Sequence, residues 1–172
     1  MIILETERLL FRDHVPEDLD AFADMEADPE VRRFVGGQPR SRADAERKFR
    51  NTFLRPASDR MRLWATIFKP EGRYIGYCGI YPHRDESGLH VGEGVLAFYL
   101  ARPYWRRGLA SEAGEAFIRF GFRELGLSRV VASVEVGNDA SVAVIRKLGF
   151  RRIGTSSAGA RTFDDFELRS GA

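Results

Sequence analysis

The sequence predicts a mixed α/β (α+β) fold with a largely antiparallel central sheet. Three observations carry this. Helical apolar spacing is found early, before residue 55, and again after residue 108. About seven strand-like segments lie between and around the helices. Glycine or proline stands at most junctions, at Gly36-Gly37, Pro70, Gly72, Gly126 and Gly149. Strands that follow one another through short polar turns pair antiparallel, whereas a parallel pair needs a long crossover between its members.

Leu4 to Asp13 reads as a first strand, with Leu9 and Phe11 on one face and Leu10 on the other. Pro16-Glu17-Asp18 opens a helix, with acids beside the positive end of its dipole; Leu19, Phe22, Ala23 and Met25 continue it. A short second helix starts at Asp28-Pro29-Glu30 and stops at Gly36-Gly37. Ser41 caps a third, striped by Ala45, Phe49, Phe53 and Leu54 and ended by Pro56. A meander follows: Met61 to Phe68, Arg73 to Tyr81, a polar turn from His83 to Gly88, then a long strand from His90 to Ala101. Gly108 to Leu125 is a helix whose apolar surface (Leu109, Ala113, Ala116, Phe117, Phe120) is broad enough to pack deep against a sheet. Gly114 and Gly121 inside it cost about 1 kcal/mol each relative to alanine, which points to something packed closely there. Arg129 to Val136 is a β-branched strand; Asn138 or Asp139 caps a helix through Leu148. Phe150 to Ile153 and Arg161 to Leu168 close the chain as a hairpin.

With 172 residues the chain is expected to form a single domain, 1–172. Its net charge of +2 and lack of a basic tail give no sign of nucleic-acid binding. Cys78 is the only cysteine, so an intrachain disulfide and a cysteine-based metal cluster are excluded, and a reducing, cytoplasmic setting is expected. No apolar stretch approaches the ~20 residues of a membrane span, and Glu5 and Glu7 stand where a signal peptide would be basic.

The segment from Leu96 to Ala113 is the most informative. A strand enters a tight basic turn with one glycine, and a helix starts at once. Such a turn aims several main-chain N–H groups at one point, and the helix start adds about half a positive charge there. The point is an anion site, suited to phosphate or pyrophosphate. The Walker loop G-x-x-x-x-G-K-S/T is absent, and Gly92 and Gly94 lack the third glycine of a dinucleotide fingerprint.

What remains is Trp105-Arg106-Arg107-Gly108-Leu109-Ala110, then Asn138-Asp139-Ala140-Ser141, then Lys147-Leu148-Gly149-Phe150. At this spacing the chain resembles the GNAT superfamily of acyl-CoA-dependent N-acetyltransferases. With Glu5-Thr6-Glu7-Arg8-Leu9-Leu10-Phe11-Arg12 it looks most like the ribosomal-protein N-terminal acetyltransferase branch (RimJ/RimL type). The family's loop reads Arg/Gln-x-x-Gly-x-Gly/Ala, and only Trp105 departs from it.

The resemblance implies a sheet of about seven strands in which the fourth and fifth splay apart. It implies acetyl-CoA as cosubstrate and no metal. Main-chain groups of Arg106, Arg107, Gly108, Leu109, Ala110 and Ser111 would hold the pyrophosphate, with the two arginines adding charge. Phe98, Tyr99 and Leu100 would bond the pantetheine arm through their main chain, and Asn138 would meet it from the other side, unless it is only a helix cap. The reaction would be direct attack of a primary amine on the thioester. The family's usual tyrosine acid falls at Ile145, which leaves Ser141 as the substitute. Glu93 is the leading general base, against the plainer reading of a solvated strand carboxylate; His83, His90, the weaker His14 or a water chain are alternatives. Cys78 is expected to be a buried apolar residue and not a nucleophile.

A protein N-terminus is the favoured acceptor on branch resemblance. The acids Asp18, Asp20, Asp24, Glu26, Asp28 and Glu30 keep a polyamine in play, although an ordinary solvated helix face explains them too. Rival classes are a non-catalytic acyl-CoA-binding regulator and an arginine-based RNA binder. An edge strand near the C-terminus leaves a homodimer open.

Overall fold

The computed structural model describes residues 1–55 and 59–171. Eight strands form one sheet in the order β1-β2-β3-β4-β5-β6-β8-β7. They are β1 (Ile2–Glu5), β2 (Leu9–Arg12), β3 (Leu63–Phe68), β4 (Arg73–Asp85), β5 (Gly88–Leu100), β6 (Arg129–Glu135), β7 (Arg151–Ala158) and β8 (Arg161–Arg169). All neighbours are antiparallel except β5 and β6. The α-helices are α1 (Leu19–Ala27), α2 (Pro29–Arg32), α3 (Arg42–Lys48), α4 (Leu109–Arg123) and α5 (Asp139–Lys147). No helix among the described residues is long and apolar enough to cross a membrane.

The sheet separates two apolar clusters. On one side Leu9, Phe11, Ile80 and Leu96 pack with Leu109, Phe117 and Ile145 of α4 and α5. On the other, Ala65, Ile67, Tyr74 and Tyr77 pack with Phe22, Ala45 and Phe49 of the early helices. The alternation of Leu9 and Phe11 against Leu10 is as expected, since Leu10 joins the second cluster. The two glycines within α4 have the reason their cost implied. A Cβ on Gly114 would stand 2.5 Å from Leu148 Cδ1, and one on Gly121 2.8 Å from Ile80 Cδ1.

Several elements differ from expectation. Leu4 to Asp13 is two short strands, because Thr6–Arg8 turn the chain back. This raises the strand count from about seven to eight. The third helix is α-helical only to Lys48 and widens into a π-turn over Phe49–Phe53; Pro56, expected to end it, lies outside the described residues. His83–Asp85 belongs to β4 and not to a turn, because the β4–β5 hairpin continues past a bulge between Pro82 and Arg84. Ser41 and Asn138 cap as expected, their side chains accepting the N–H of Asp44 and Ser141.

Candidate active site

The site lies where β5 and β6 part. They pair in parallel only where Glu93, Gly94 and Val95 meet Arg129, Val130 and Val131. Beyond Val95, β5 keeps its bonds to β4, with Phe98 opposite Cys78, Tyr99 opposite Tyr77 and Leu100 opposite Gly76. Its other edge faces a cleft of about 800 Å³ whose walls include Phe98, Tyr99, Ser133, Asn138 and Ser141. A second hollow, of about 300 Å³, lies under the start of α4 and shares Phe98, Tyr99, Asn138 and Ser141 with the first. The expected splay is thus between β5 and β6, and it offers main chain of Phe98–Leu100 to an extended ligand as an open sheet edge does.

From Leu100 the chain passes through a single 3-10 turn, Arg102–Tyr104, into the basic loop. Arg106 and Gly108 both adopt left-handed backbone, at φ 57° and 76°. A Cβ at Gly108 would meet nothing nearer than Arg8 Nη2 at 3.5 Å, so conformation and not space calls for glycine there. Among the described residues, no acceptor takes the main-chain N–H of Arg106, Arg107, Gly108, Leu109, Ala110 or Ser111. The first bond back is from the Glu112 N–H to the Gly108 carbonyl, at 3.0 Å. A helix start leaves about four donors unpaired; here the loop extends the run to six, next to the positive end of the fifteen-residue α4. That donor set fits a diphosphate. The Arg107 guanidinium lies over the rings of Phe68 and Tyr104, at 4.6 and 5.3 Å, whereas Arg106 lines the hollow.

The loop is braced from the N-terminal strands. The Glu112 carboxylate accepts from Thr6 Oγ1 at 2.6 Å, Arg8 N at 2.9 Å and Arg8 Nε at 2.7 Å. Arg8 Nη1 donates to the Arg107 carbonyl at 2.9 Å. Burial alone would raise the Glu112 pKa, but the Thr6 and Arg8 donors outweigh it and hold the carboxyl below its usual range. Trp105 Nε1 donates to the Leu100 carbonyl at 2.7 Å, closing the loop's other end. Sequence reasoning saw the Glu5–Arg12 block only as a strand and missed this brace.

Asn138 Oδ1 accepts the Ser141 N–H at 3.2 Å, and both side chains border the junction of the two hollows. Ile145 is 1% exposed and forms part of the cleft wall one turn further along α5. Glu93 lies at the far end, where the strands are still paired. Its Oε2 meets His83 Nδ1 at 2.8 Å and Arg129 Nη1 at 2.9 Å. Partial burial pushes its pKa up, yet the His83 hydrogen bond and the Arg129 charge more than offset this and lower it. His83 and Arg129 line the cleft; Glu93 does not. The His90 ring stacks on His83 with centroids 4.5 Å apart, and its Nε2 lies 2.7 Å from Asp85 Oδ2. Ligand atoms of His83, His90 and Glu93 come within 4.8 Å of one another. The Arg129 cation on the same carboxylate oxygen opposes a metal ion there.

Other candidates are placed away from the chemistry. His14 is buried against Phe49, Phe53 and Tyr74 and borders neither hollow. Cys78 is buried and burial pushes its thiol up to about 12, so no thiolate is at hand. The early acids are not one solvated face. Asp18 pairs with Arg12 at 2.7 Å and Asp28 with Arg102 at 3.1 Å, while Asp20 pairs with Arg42. Glu26, 1% exposed, accepts from Arg32, Arg40, Lys48 and Tyr77 at 2.7 to 3.2 Å.

A sheet opened by two parting strands, beside a helix start rich in free donors, is the framework of an acyl-coenzyme A-dependent transferase. Residues 8–151 match the profile of the acetyltransferase (GNAT) domain. The chain belongs to this family of acetyl-CoA-using N-acetyltransferases and is an acyltransferase enzyme. It is 30% identical over 158 residues to the uncharacterized N-acetyltransferase p20 of Bacillus licheniformis, spanning 90% of this chain and 85% of that protein. Among solved structures it is similar to a GNAT-family acetyltransferase from Bacillus anthracis, with TM-score 0.80, 22% identity, and 97% and 96% of the two chains covered. It is also similar to a ribosomal L7/L12 alpha-N-protein acetyltransferase (RimL) in complex with coenzyme A, with TM-score 0.77, 13% identity and 98% of each chain covered.

Proposed function

We propose that this enzyme transfers the acetyl group of acetyl-CoA directly to a primary amine, and that a protein N-terminus is its acceptor class. One observation carries the cosubstrate assignment: six consecutive main-chain N–H groups, Arg106 to Ser111, at the positive end of α4 have no acceptor among the described residues. They would hold the pyrophosphate, with the Arg106 charge beside it. Main-chain groups of Phe98, Tyr99 and Leu100 would pair with the pantetheine arm along the open edge of β5, and Asn138 would face it from α5. A main-chain N–H on that edge would polarise the thioester carbonyl, a type of contribution worth roughly 3–4 kcal/mol elsewhere. Ser141, on the cleft wall, would hydrogen-bond the departing sulfur and pass it a proton. Glu93 belongs to proton removal at the acceptor end. The catalytic domain is read as the whole chain, 1–172.

Two points support the N-terminal acceptor over a polyamine. The Glu5–Arg12 block resembles the ribosomal-protein branch, and Thr6 and Arg8 within it brace the loop. Four of the six early acids, Asp18, Asp20, Glu26 and Asp28, are paired with arginines or Lys48 and so are less open to a polyamine. The test is a thiol-release screen with acetyl-CoA against amines, including N-terminal peptides of ribosomal proteins and spermidine. Fast release with peptides is the expected result. Release with spermidine alone would overturn the acceptor class. Tight acetyl-CoA binding without transfer to any amine would make the protein a regulator.

A further inference from the structure

We propose that His83 is the proton acceptor for the incoming ammonium group and that Glu93 positions it. The proposal rests on the transferase reading above. The β4–β5 hairpin bulges between Pro82 and Arg84, and His83, at the bulge, forms part of the cleft wall. Glu93 does not line the cleft, and its Oε2 lies 2.8 Å from His83 Nδ1. That oxygen also takes Arg129 Nη1 at 2.9 Å, and Arg129 is anchored in turn by Nε on Glu167 at 2.7 Å. A carboxylate already accepting two donors, one of them a guanidinium, is a weak base. An ionised carboxylate can only accept, so Nδ1 carries the hydrogen and Nε2 is left with a lone pair. The arrangement is that of an imidazole held by a carboxylate, which stabilises the imidazolium that forms. The other titratable or charged groups around His83 are the stacked His90, itself on Asp85, and the neighbouring Arg84.

The step balances. Along β4, His83 lies five residues from Cys78, the partner of Phe98; this is about 16 Å of strand, which leaves room for the amine and a short chain of waters between His83 and the thioester end. One proton leaves the ammonium for His83 Nε2 across those waters. The freed lone pair forms the N–C bond to the thioester carbonyl. The C–S bond breaks, its electron pair stays on sulfur, and a second nitrogen proton passes to the thiolate through Ser141. The products are amide, thiol and a proton that the imidazolium returns to solvent.

The test is kcat/KM against pH, using the best peptide from the screen as acceptor. Wild type should rise with pH through one ionisation. His83→Gln should fall about 100-fold and lose that step, with acetyl-CoA affinity by calorimetry unchanged. Glu93→Gln should fall about tenfold and keep the step, because the imidazole is still present but no longer held in place. His83→Ala should recover activity with added imidazole, which a purely structural role would not allow. A His83→Gln enzyme with the wild-type profile overturns the proposal. So does a profile that Glu93→Gln abolishes and His83→Gln preserves, since the carboxylate would then be the base itself. A wild type that binds acetyl-CoA and releases no thiol with any amine overturns the transferase reading and this one together.

Discussion

Gly108 adopts left-handed backbone at the start of α4, where the proposed diphosphate would sit. Gly108→Asp keeps the fold, because aspartate enters that backbone region for roughly 1 kcal/mol. It sets a carboxylate against the diphosphate, and calorimetry should show acetyl-CoA binding weakened by at least about tenfold. Ser141→Ala tests the other end of the coenzyme. Loss of the proposed Ser141 proton relay should lower kcat roughly 10- to 100-fold with a smaller change in KM. His14 bears on stability alone. Burial lowers its pKa from 6.5 to about 4, and its Nε2 has no partner among the described residues. The unfolded chain therefore takes up a proton below pH 6.5 that the native state refuses until about pH 4. Stability falls as acid is added across that window, and the full cost is about 3 kcal/mol. Urea melts at pH 7 and pH 5 should differ by about 2 kcal/mol from this group, and His14→Gln should remove that part of the difference.

At the level of elements, the basic loop before α4 is braced by strands remote in sequence. Glu112→Ala strips the partners from Arg8 and Thr6 and should cost about 1–3 kcal/mol of stability. It should also weaken acetyl-CoA binding and speed hydrogen exchange at Arg106 to Ser111, a pairing of effects that a simple surface mutation would not give. The contrast shows which elements the sequence made legible. The Leu109–Phe117–Phe120 stripe, the caps at Ser41 and Asn138, and the glycine-bearing loop obey local rules of period and dihedral, so they were readable. The division of Leu4 to Asp13 was not, because its turn is held by Glu112 about a hundred residues away. Nor was the extension of β4 through His83–Asp85, since polar residues read as a turn until β5 is there to pair with them. Within the site, Glu93 could be placed on the right strand, but its partners His83 and Arg129 come from two neighbouring strands and a bulge.

Taken as a whole, the molecule is a sheet with an apolar cluster on each face, and the chemistry sits where that sheet fails to close. The cluster carrying Phe117 and Ile145 backs the coenzyme side, while Phe22, Phe49 and Tyr77 back the early helices and the charged knot at Glu26. Composition spoke to neither asymmetry. The early acids looked like a solvated helix face because nothing local reveals that Arg32, Arg40 and Lys48 fold inward onto one buried carboxylate. The clasp between Arg8 and Glu112 also has a bearing on how the enzyme matures. A nascent polypeptide exposes the clasp's first half long before its second has been synthesised, so the basic turn before α4 is braced only when the opening residues come back to it. Trimming those eight residues would leave most of both apolar clusters in place and remove the brace from the proposed coenzyme seat.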